Sequence, residues 1–374
     1  MTPMRYPIVC PTLPEVSELE GELRAILASG RVTVGPQTAA LEQEVCARTG
    51  VRHAVAVSSG TSGLMLLIRA LGLPAGGEVI TPSFTFAATA QALLWNGLRP
   101  VFGDSEPKSF TLDAAAAEAL VTPRTAALYP VCIFGVPGDL AAYQRLADKY
   151  GLALIYDSAQ GLGSSYRGQA LGGFGRGEVF SMSPTKVVTA LEGGLITTND
   201  EELAGRLRGM RDYGKAPDGE DMAYLGLSAR MGEVNALVAR WSLARMERWI
   251  AHRAAVTARY RERLAGLPGA GFQHIPEEVV SCRNYLVLLL DPAAAPISRD
   301  ELYQRLKDEG IQTKRYFYPA LHQQTLFREL APACGGLPVA EWLSACSLAL
   351  PMYSHLPLAA VDEICERILA HAGG

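Results

Sequence analysis

Short, nearly continuous apolar runs alternate with helical patterns from His53 to Gly226. The runs that read as strands are HAVAVSSG, EVITPS, RPVFGDSE, TAALYPVCIFG and LALIYDSAQ. Strands buried on both faces have continuous apolar runs, whereas strands with one solvated face alternate apolar and polar residues. The pattern therefore predicts an α/β fold with a mostly parallel central sheet and flanking helices.

Helical patterns lie before and between these strands. Residues 15–48 predict two helices around a loop at GRVTVGPQ, because Gly and Pro interrupt the periodicity there. Residues 61–73 (TSGLMLLIRALGL) predict a helix that starts at a Gly/Ser/Thr turn, and residues 139–150 predict another.

The pattern changes near Gly226. Residues 232–267 predict one long helical stretch whose Trp and Met residues pack against the core. RNYLVLLLDP (283–292) and IQTKRYFYP (311–319) predict strands, and helical patterns separate and follow them. We therefore predict a large α/β domain over residues 1–235 and a smaller C-terminal α+β domain over residues 236–374.

Composition and charge limit the classes of ligand. The chain has 374 residues, of which 49% are hydrophobic and 19% charged, a balance typical of a compact folded protein. Its formal net charge is −4, and no Lys/Arg run is interleaved with aromatic residues. We therefore expect no nucleic-acid ligand.

Cysteine spacing and hydropathy suggest a cytoplasmic protein without a metal. The seven cysteines are scattered and never form a CxxC pair, so the sequence predicts neither a disulfide framework nor a zinc site. The N-terminal residues lack an apolar core of signal-peptide length, and no stretch reaches the roughly 18 apolar residues of a membrane span. We expect no membrane association.

Lys186 is the first candidate for chemistry. It lies in FSMSPTKVVTALEGG (180–194), among small and hydroxylated residues just after a predicted strand. A lysine amine forms an imine when desolvation or a nearby cation lowers its pKa. Most lysines are solvated surface residues, so the hypothesis depends on the other segments.

A carboxylate and an amide follow another predicted strand. Asp157 and Gln160 lie in LIYDSAQGLG, at the strand end where α/β sheets gather ligands. Asp157 fits a helix cap, or a counter-ion for the pyridinium nitrogen of a pyridoxal phosphate ring. The residue alone does not decide between these roles.

Two further segments suit a flat, phosphorylated ligand. Gly60, Thr61 and Ser62 lie at a turn into a helix, where free N–H groups attract a phosphate, although an ordinary capped helix fits as well. Phe84 and Phe86 would face the same side of an extended segment. They suit either core packing or stacking on a cofactor.

Taken in order, these segments resemble the sugar aminotransferases of the DegT/DnrJ/EryC1/StrS family, a branch of the fold type I pyridoxal-phosphate enzymes. The resemblance covers nearly the whole chain, through the segments GPQTAALEQEV, SSGTSGL, GGEVITPSFTFAATA, DSAQGLGSSYRGQALGG, FSMSPTKVVTALEGG, ARMGEVNALVA, KRYFYPALH and SLALPMYSHL. It implies a fold type I architecture and pyridoxal 5'-phosphate as cofactor.

The resemblance also implies roles for individual residues. Lys186 would carry the aldimine, Asp157 would pair with the pyridine nitrogen, and Gln160 would approach the ring hydroxyl. Phe86 would stack on the ring. The residues implied to bind the phosphate are Gly60, Thr61, Ser62 and Ser181.

The family inserts a loop from a neighbouring subunit into each site, which implies a homodimer. Where the family commonly has an Asn that reaches the partner's phosphate, this chain has Ser228, whose shorter hydroxyl would reach through water. Ser183 and Leu191 depart from the family pattern in a region that faces substrate. His322 matches a family His and is implied at the substrate.

The resemblance implies transfer of an amino group from L-glutamate to a nucleotide-linked keto sugar, most simply a 4-keto-6-deoxyhexose, with pyridoxamine 5'-phosphate formed between two half-reactions. A keto-cyclitol or a 3-keto sugar is an alternative acceptor. A sugar dehydratase is a further alternative, but the dehydratase branch has His in place of Lys186. A non-catalytic sensor that keeps the cofactor is the alternative from another class.

Overall fold

The computed structural model describes residues 4–330 and 336–373. The helices are α1 (Val16–Ser29), α2 (Pro36–Thr49), α3 (Gly60–Ala70), α4 (Ala87–Trp95), α5 (Ala114–Ala119), α6 (Leu140–Tyr150), α7 (Glu201–Met210), α8 (Glu233–Leu243), α9 (Met246–Leu264), α10 (Arg299–Asp308), α11 (Thr325–Arg328), α12 (Pro338–Cys346) and α13 (Leu358–Ala372), with a 3-10 turn at Leu321–Gln323. The strands are β1 (His53–Val57), β2 (Glu78–Pro82), β3 (Arg99–Gly103), β4 (Thr125–Leu128), β5 (Ala153–Asp157), β6 (Ser165–Tyr166), β7 (Gln169–Ala170), β8 (Gly177–Ser181), β9 (Gly194–Thr198), β10 (Ala270–Phe272), β11 (Val279–Val280), β12 (Leu286–Leu290) and β13 (Ser347–Leu350).

The central sheet has seven strands in the order β1-β9-β8-β5-β4-β2-β3. Strands β3, β2, β4, β5 and β8 are parallel, and β9 runs antiparallel to both of its neighbours. The predicted α/β fold with a mostly parallel sheet is confirmed. Because β1, β2, β5 and β8 run in one direction, their carboxyl ends share one edge of the sheet with the start of β9.

Apolar side chains cover both faces of this sheet. Ile155 packs in a core with α3 and α7, whereas its neighbours Leu154 and Tyr156 belong to the core on the opposite face, with α2 and α6. Successive side chains of a strand point to opposite faces, so a fully apolar run is buried between two helical layers. This burial explains why the strand segments lack polar alternation.

A second core lies under the antiparallel sheet β10-β12-β13. It contains Tyr260 of α9, Leu288 of β12, Leu350 of β13 and Ile364 of α13. Helices α9 and α13 pack together over this sheet. A small sheet of β11, β6 and β7 joins this half of the chain to the segment after β5.

The two cores divide α9 between them. Trp249, near its start, packs in the core of the central sheet together with Ala236 of α8, whereas Val256 and the residues after it pack in the second core. This packing favours a boundary within α9. The division at residues 235 and 236 stays a prediction.

Several predicted elements are confirmed and two are wrong. The helix pair around residues 30–37, the helix after the Gly/Ser/Thr turn and the five predicted strands are present. The predicted single helix over 232–267 is two helices, because the backbone leaves helical geometry at Arg245. Residues 311–319 form no strand: only Ile311 and Lys314 make isolated bridges, to Tyr6 and Ala349.

The segment GPQT begins α2 with help from a distant carboxylate. Glu233, which is 1% exposed, accepts hydrogen bonds from the backbone N–H groups of Gly35, Gln37 and Thr38 at 2.7–2.9 Å. These donors have no partner inside the helix, so Glu233 caps α2 from the start of α8. Helices α2 and α8 are thereby held together beside β1.

Two glycines allow α3 to start directly against the sheet. A Cβ on Gly60 would lie 2.9 Å from the Cβ of Ser181, and a Cβ on Gly194 would lie 2.7 Å from the backbone nitrogen of Gly60. Both distances are shorter than real Cβ atoms tolerate. The helix N-terminus can therefore reach the ends of β8 and β9 only if both positions are glycine.

The described helices include none long and apolar enough to cross a membrane. Six of the cysteines are free, namely Cys10, Cys46, Cys132, Cys282, Cys346 and Cys365, and Cys334 lies outside the described residues.

We predict that Gly194→Ala destabilises the protein by about 1–3 kcal/mol, because the added methyl group meets backbone atoms of the α3 cap. Gly205→Ala is the matched control, since Gly205 lies inside α7 with no atom within 4 Å of a Cβ. The control should be neutral or raise stability by up to about 1 kcal/mol. Urea unfolding measures both changes, and equal midpoints for the two variants would contradict the close packing at Gly194.

Candidate active site

A cavity of about 300 Å³ lies at the sheet edge where the strand ends meet. Eight of the residues singled out in the sequence line it, namely Gly60, Thr61, Phe86, Asp157, Gln160, Ser181, Ser183 and Lys186. They come from segments more than one hundred residues apart along the chain. The fold therefore brings most of the candidate residues into one site.

Asp157 ends β5 and is 4% exposed. Its Oδ2 atom accepts a hydrogen bond of 2.6 Å from the Thr89 hydroxyl, and its Oδ1 atom accepts one of 3.0 Å from the backbone N–H of Ala159. The Thr89 hydroxyl is also 3.1 Å from that of Thr85, which lines the cavity. The carboxylate is held in one orientation from its own strand end and from α4.

Burial raises the pKa of Asp157 above its ordinary value of 3.8. The hydrogen bonds from Thr89 and Ala159 and the positive charge of Lys186 act in the opposite direction but do not cancel the effect of burial. In the protein alone, ionised Asp157 is therefore under-compensated. A cationic group bound in the cavity would supply the missing compensation.

Gln160 is fixed by the loop that follows β4. Its Oε1 atom accepts a hydrogen bond of 2.8 Å from the backbone N–H of Phe134. Because the amide oxygen is used in this way, the amide NH₂ group remains as a donor. Glu178, buried in β8, supports the same turn by accepting hydrogen bonds from Ser158, Gly172 and Phe174.

Lys186 lies in an irregular segment after β8 that is anchored at both sides. Its own N–H donates to the Ser183 carbonyl at 3.0 Å, and the next N–H, of Val187, donates to Oδ1 of the buried Asn284 at 3.1 Å. The Lys186 Nζ atom is 5.6 Å from the ring centre of Tyr285. The amine therefore enters the cavity beside an aromatic wall.

Tyr285 is 7% exposed and lines the cavity with Lys186 and Lys314. Burial acts to raise the pKa of its phenol, but the positive charges of Lys186 and Lys314 are among the neighbours that leave this pKa lowered. Tyr316 packs edge-on against it, with ring centres 5.2 Å apart. The sequence patterns did not single out these residues, because each comes from the C-terminal half of the chain.

The turn before α3 places a helix N-terminus at the cavity, and Ser62 takes part in capping it. Ser59 and Ser62 form a capping box: the Ser59 hydroxyl accepts from the Ser62 N–H at 3.0 Å, and the Ser62 hydroxyl accepts from the Ser59 N–H at 3.1 Å. Ser59 instead lines the cavity, and Ser62 does not. This leaves the N–H groups of Gly60 and Thr61 as the free donors of the first turn.

The expected pairing of Phe84 and Phe86 is wrong. Strand β2 ends at Pro82, and the chain bends before α4, so the two rings do not share a face. Phe84 is fully buried in an aromatic cluster with Phe110, Phe134 and Phe317. Phe86 is 59% exposed at the cavity, where its ring is free to stack on a ligand.

His322 does not line the cavity, contrary to expectation. Its Nδ1 atom is 2.6 Å from the Ser83 hydroxyl, and its Nε2 atom is 3.1 Å from Glu341 Oε1. Both ring nitrogens are thus used to join the end of β2 to α12. A histidine side chain can make structural hydrogen bonds or act on a substrate, so the sequence motif did not distinguish these two roles.

Ser228 also lies outside this cavity. It is exposed, and its backbone forms an isolated β-bridge with Asp212. The segment continues past the turn before α3, where the Ser58 N–H donates to the Ala229 carbonyl at 2.8 Å. The expected role of Ser228 concerns a second subunit and stays a prediction.

The residues present fit a pyridoxal phosphate. The cavity combines a helix N-terminus for a phosphate, a buried carboxylate for a protonated ring nitrogen, an exposed aromatic face and a lysine. The under-compensated charge of Asp157 is the observation that most needs a cationic ring. Within residues 4–330 and 336–373 no cluster of His, Cys, Asp and Glu side chains suits a metal ion.

We predict that Asp157→Asn makes the cofactor-free protein more stable at neutral pH. The raised pKa of Asp157 means that the fold favours its protonated form, so this contribution is complete below the unfolded value of 3.8 and is lost as pH rises through the folded value. The urea midpoint of the variant should exceed that of the native protein at about pH 8, and the gap should close towards about pH 4.

Asp148→Asn is the control for Asp157→Asn, because Asp148 is exposed on α6 and should show no such gap. A variant at Asp157 that is less stable than the native protein at every pH would contradict the proposed cost of burying the charge.

Comparison with known proteins agrees with this site. The sequence model of the DegT/DnrJ/EryC1/StrS aminotransferase family matches residues 15–369. The chain is 35% identical to DesI, solved in the presence of its TDP-sugar product, with a TM-score of 0.91 over 100% of this chain and 93% of that one. It is 34% identical to DesV of S. venezuelae, solved with a ketimine intermediate, with a TM-score of 0.89 over 98% and 100%.

A third similar structure is Helicobacter pylori PseC, an aminotransferase involved in the biosynthesis of pseudoaminic acid, at 26% identity and a TM-score of 0.91 over 98% of this chain and 99% of that one. The match to the family extends over almost the whole sequence, and the TM-scores of about 0.9 show that the fold is shared over nearly the full length of these chains. The chain belongs to the DegT/DnrJ/EryC1/StrS aminotransferase family and is a sugar aminotransferase with the fold of the type I pyridoxal-phosphate enzymes.

Proposed function

We propose that the protein transfers the amino group of L-glutamate to a keto sugar linked to a nucleotide, with pyridoxal 5'-phosphate as cofactor. The observation that carries this proposal is the meeting of Lys186, Asp157 and the α3 turn in one cavity. A lysine, a buried carboxylate and a phosphate-binding helix end are together what transamination on this cofactor requires. The match to an aminotransferase family also supports this class of reaction.

The protein groups would orient the cofactor and set its charge. When bound, the cofactor acts as an electron sink for the carbon that loses a proton. Asp157 would hold a proton on the ring nitrogen, and Gln160 would donate its amide to the ring hydroxyl. The phosphate would lie at Gly60, Thr61 and Ser181, close to the helix N-terminus. Phe86 would cover one face of the ring.

Lys186 would act twice. It would first attach the cofactor covalently, and once displaced by a substrate amine it would carry the proton between substrate and cofactor as general base and acid. Its position in an anchored segment beside Tyr285 limits the directions from which the amine can approach. In the second half-reaction Lys186 would move the proton in the opposite direction at the keto acceptor, and it would then hold the cofactor again.

The walls of the cavity support an anionic substrate. Lys314 adds a positive charge that the cofactor roles do not use, and it suits the carboxylates of glutamate or the phosphates of a nucleotide. DesI, a similar protein, was solved with a TDP-sugar. Ser183 and Glu192 also line the cavity, beside the partly exposed Leu191 at φ 64°. We assign substrate choice to this wall.

A homodimer with shared sites fits the exposed surface near the cavity. Tyr213, Met222 and Leu225 are 51%, 56% and 68% exposed, and they lie in the segment that also carries Ser228. Large apolar side chains clustered in one surface segment are typical of interfaces. We propose that this segment docks on a second copy and brings Ser228 to the phosphate of its cofactor.

We predict that Lys186→Ala loses the visible absorbance of the bound cofactor and all amino transfer, whereas Lys149→Ala keeps both. Lys149 is an exposed residue paired with Glu118 on the surface, so it controls for loss of a positive charge. The assay supplies L-glutamate with nucleotide-linked 4-keto and 3-keto sugars and keto-cyclitols, and mass spectrometry identifies the product.

Each possible product of this assay indicates a different function. An aminated nucleotide sugar supports the proposal, whereas an aminated cyclitol replaces the acceptor and loss of water without amination indicates a dehydratase. Full turnover by Lys186→Ala would overturn the assignment of the lysine. If glutamate fails to convert the cofactor to its amine form, a non-catalytic sensor is the better description.

We predict that Leu225→Asp shifts the protein from dimer to monomer, because a charge on the docking segment must be buried without a partner. Leu358→Asp is the control, since Leu358 is 42% exposed at the start of α13, away from the segment. Sedimentation equilibrium gives the mass of each variant. A native protein that sediments as a monomer at micromolar concentration would refute the shared site.

A further inference from the structure

We propose that a second site, separate from the catalytic cavity, binds a small phosphate monoester between α9 and the segment before β12. A cavity of about 300 Å³ lies there, and Arg261, Arg283, His274 and Thr257 are among its lining residues. None of its lining residues also lines the catalytic cavity. The proposal does not depend on the aminotransferase function.

The two arginines of this cavity have no acidic partner. In the part of the chain that the structure describes, neither guanidinium lies within ion-pair distance of a carboxylate. Burial lowers the pKa of both, and for Arg283 the nearby charge of Arg261 lowers it further. Two like charges facing one cavity repel each other, so an anion between them would be stabilised.

Arg261 is oriented by bonds that leave donors free. Its Nη2 atom donates to the Gln273 carbonyl at 2.6 Å, and its guanidinium lies 5.3 Å from the ring centre of Phe272. A guanidinium has five N–H donors, so most of them remain available. Gln273 is itself fixed, because its amide donates to the carbonyls of Ser109 and Ile133 at 2.6 and 3.0 Å.

A third positive charge lies behind the cavity. Arg253 is 2% exposed, and burial lowers its pKa to about 10. It donates to the Ser354 hydroxyl at 3.0 Å and to the Asn284 carbonyl at 3.0 Å, but to no carboxylate among the described residues. Arg253, Thr257 and Arg261 are spaced by four residues and so follow one face of α9.

The charge and the volume together favour a phosphate monoester. A monoester carries close to two negative charges at neutral pH and three oxygens that accept hydrogen bonds, which matches two guanidinium groups that line one cavity. A single carboxylate would neutralise only one of them. A cavity of about 300 Å³ also leaves space for the organic part of a small metabolite, at the lower end of ligand-site volumes.

A narrow cavity of about 20 Å³ lies between this site and the catalytic cavity. Arg261 and Arg283 line it on one side, and Tyr285, which also lines the catalytic cavity, contributes to its wall. Arg283 is only two residues before Tyr285 in the sequence. The anion would therefore bind at the back of the tyrosine that lies beside Lys186.

Calorimetric titration of the full-length, cofactor-loaded protein tests the proposal, with inorganic phosphate, a hexose 1-phosphate and succinate as separate probes. We expect one hexose 1-phosphate to bind per chain, more tightly than succinate. Arg261→Gln and Arg283→Asn should each weaken it by about tenfold or more, since each removes a charged donor. Asn is chosen at Arg283 because φ is 53° there and Asn tolerates that region.

Arg248→Gln is the matched control, because Arg248 is exposed on the same helix and lies outside the cavity. It should bind the probe as the native protein does. Unchanged binding in both cavity variants, equal loss in Arg248→Gln, or loss in Lys314→Gln instead would overturn the site. Succinate binding as tight as that of the hexose phosphate would overturn the assignment to a phosphate, and binding of inorganic phosphate alone would overturn the assignment to an ester.

Discussion

The active site depends on the absence of two side chains, at Gly60 and Gly194. They allow the N-terminus of α3 to lie against the ends of β8 and β9, because any Cβ at either position would collide with atoms of the other segment. Strand β8 leads directly into the segment that carries Lys186. The contact therefore fixes the N-terminus of α3 relative to the segment that carries the amine, with the first residue of β9 at the same edge.

The same edge of the central sheet carries Asp157, whose ionised carboxylate is destabilised by burial. Asp157 is buried more completely than its hydrogen bonds compensate, and its pKa is raised in consequence. A fold optimised for stability alone would place a neutral side chain at the end of β5. The cost is tolerable because Thr89 and the Ala159 N–H already orient the carboxylate, so a bound cation gains full electrostatic benefit with no rearrangement.

The sequence predicted the parts of the site that depend on local signals. Strand ends, a Gly/Ser turn and a lysine after a strand are recognisable within about ten residues, and Asp157, Gln160, Gly60 and Lys186 do share one cavity. Ser62 takes part in a capping box and does not line the cavity, and its role at a phosphate stays a prediction, because a capping box and a phosphate turn use the same residue types. His322 does not line the cavity, which the sequence did not reveal because a motif match does not show which way a ring points, and its role at the substrate stays a prediction.

The residues that the sequence did not reveal are those defined by distant contacts. Tyr285 and Lys314 reach the cavity from a part of the chain where the strand pattern predicts only packing. Thr89 contributes to the site by donating a hydrogen bond to Asp157, which is 68 residues away in the sequence. Residues 311–319 have strand-like composition but form isolated bridges only, because Lys314 alone pairs with Ala349 at the edge of β13 and the pairing does not continue.

The two halves of the chain also differ in how they treat buried charge. In the large α/β part, the buried carboxylates of Glu178 and Glu233 are bonded by backbone N–H groups and hydroxyls of their own fold. On α9, the buried Arg253 is bonded only to neutral oxygens, and the exposed Arg261 donates to the Gln273 carbonyl and joins no ion pair among the described residues.

Carbonyl oxygens orient a guanidinium, but they do not neutralise its charge. Glu178 and Glu233 are thus held by groups of the fold itself, whereas Arg253 and Arg261 have no carboxylate partner among the described residues and would gain one from a bound anion. Tyr285 lines both the catalytic cavity and the narrow cavity beside Arg261 and Arg283, so an anion bound at these arginines would lie behind the wall that faces Lys186.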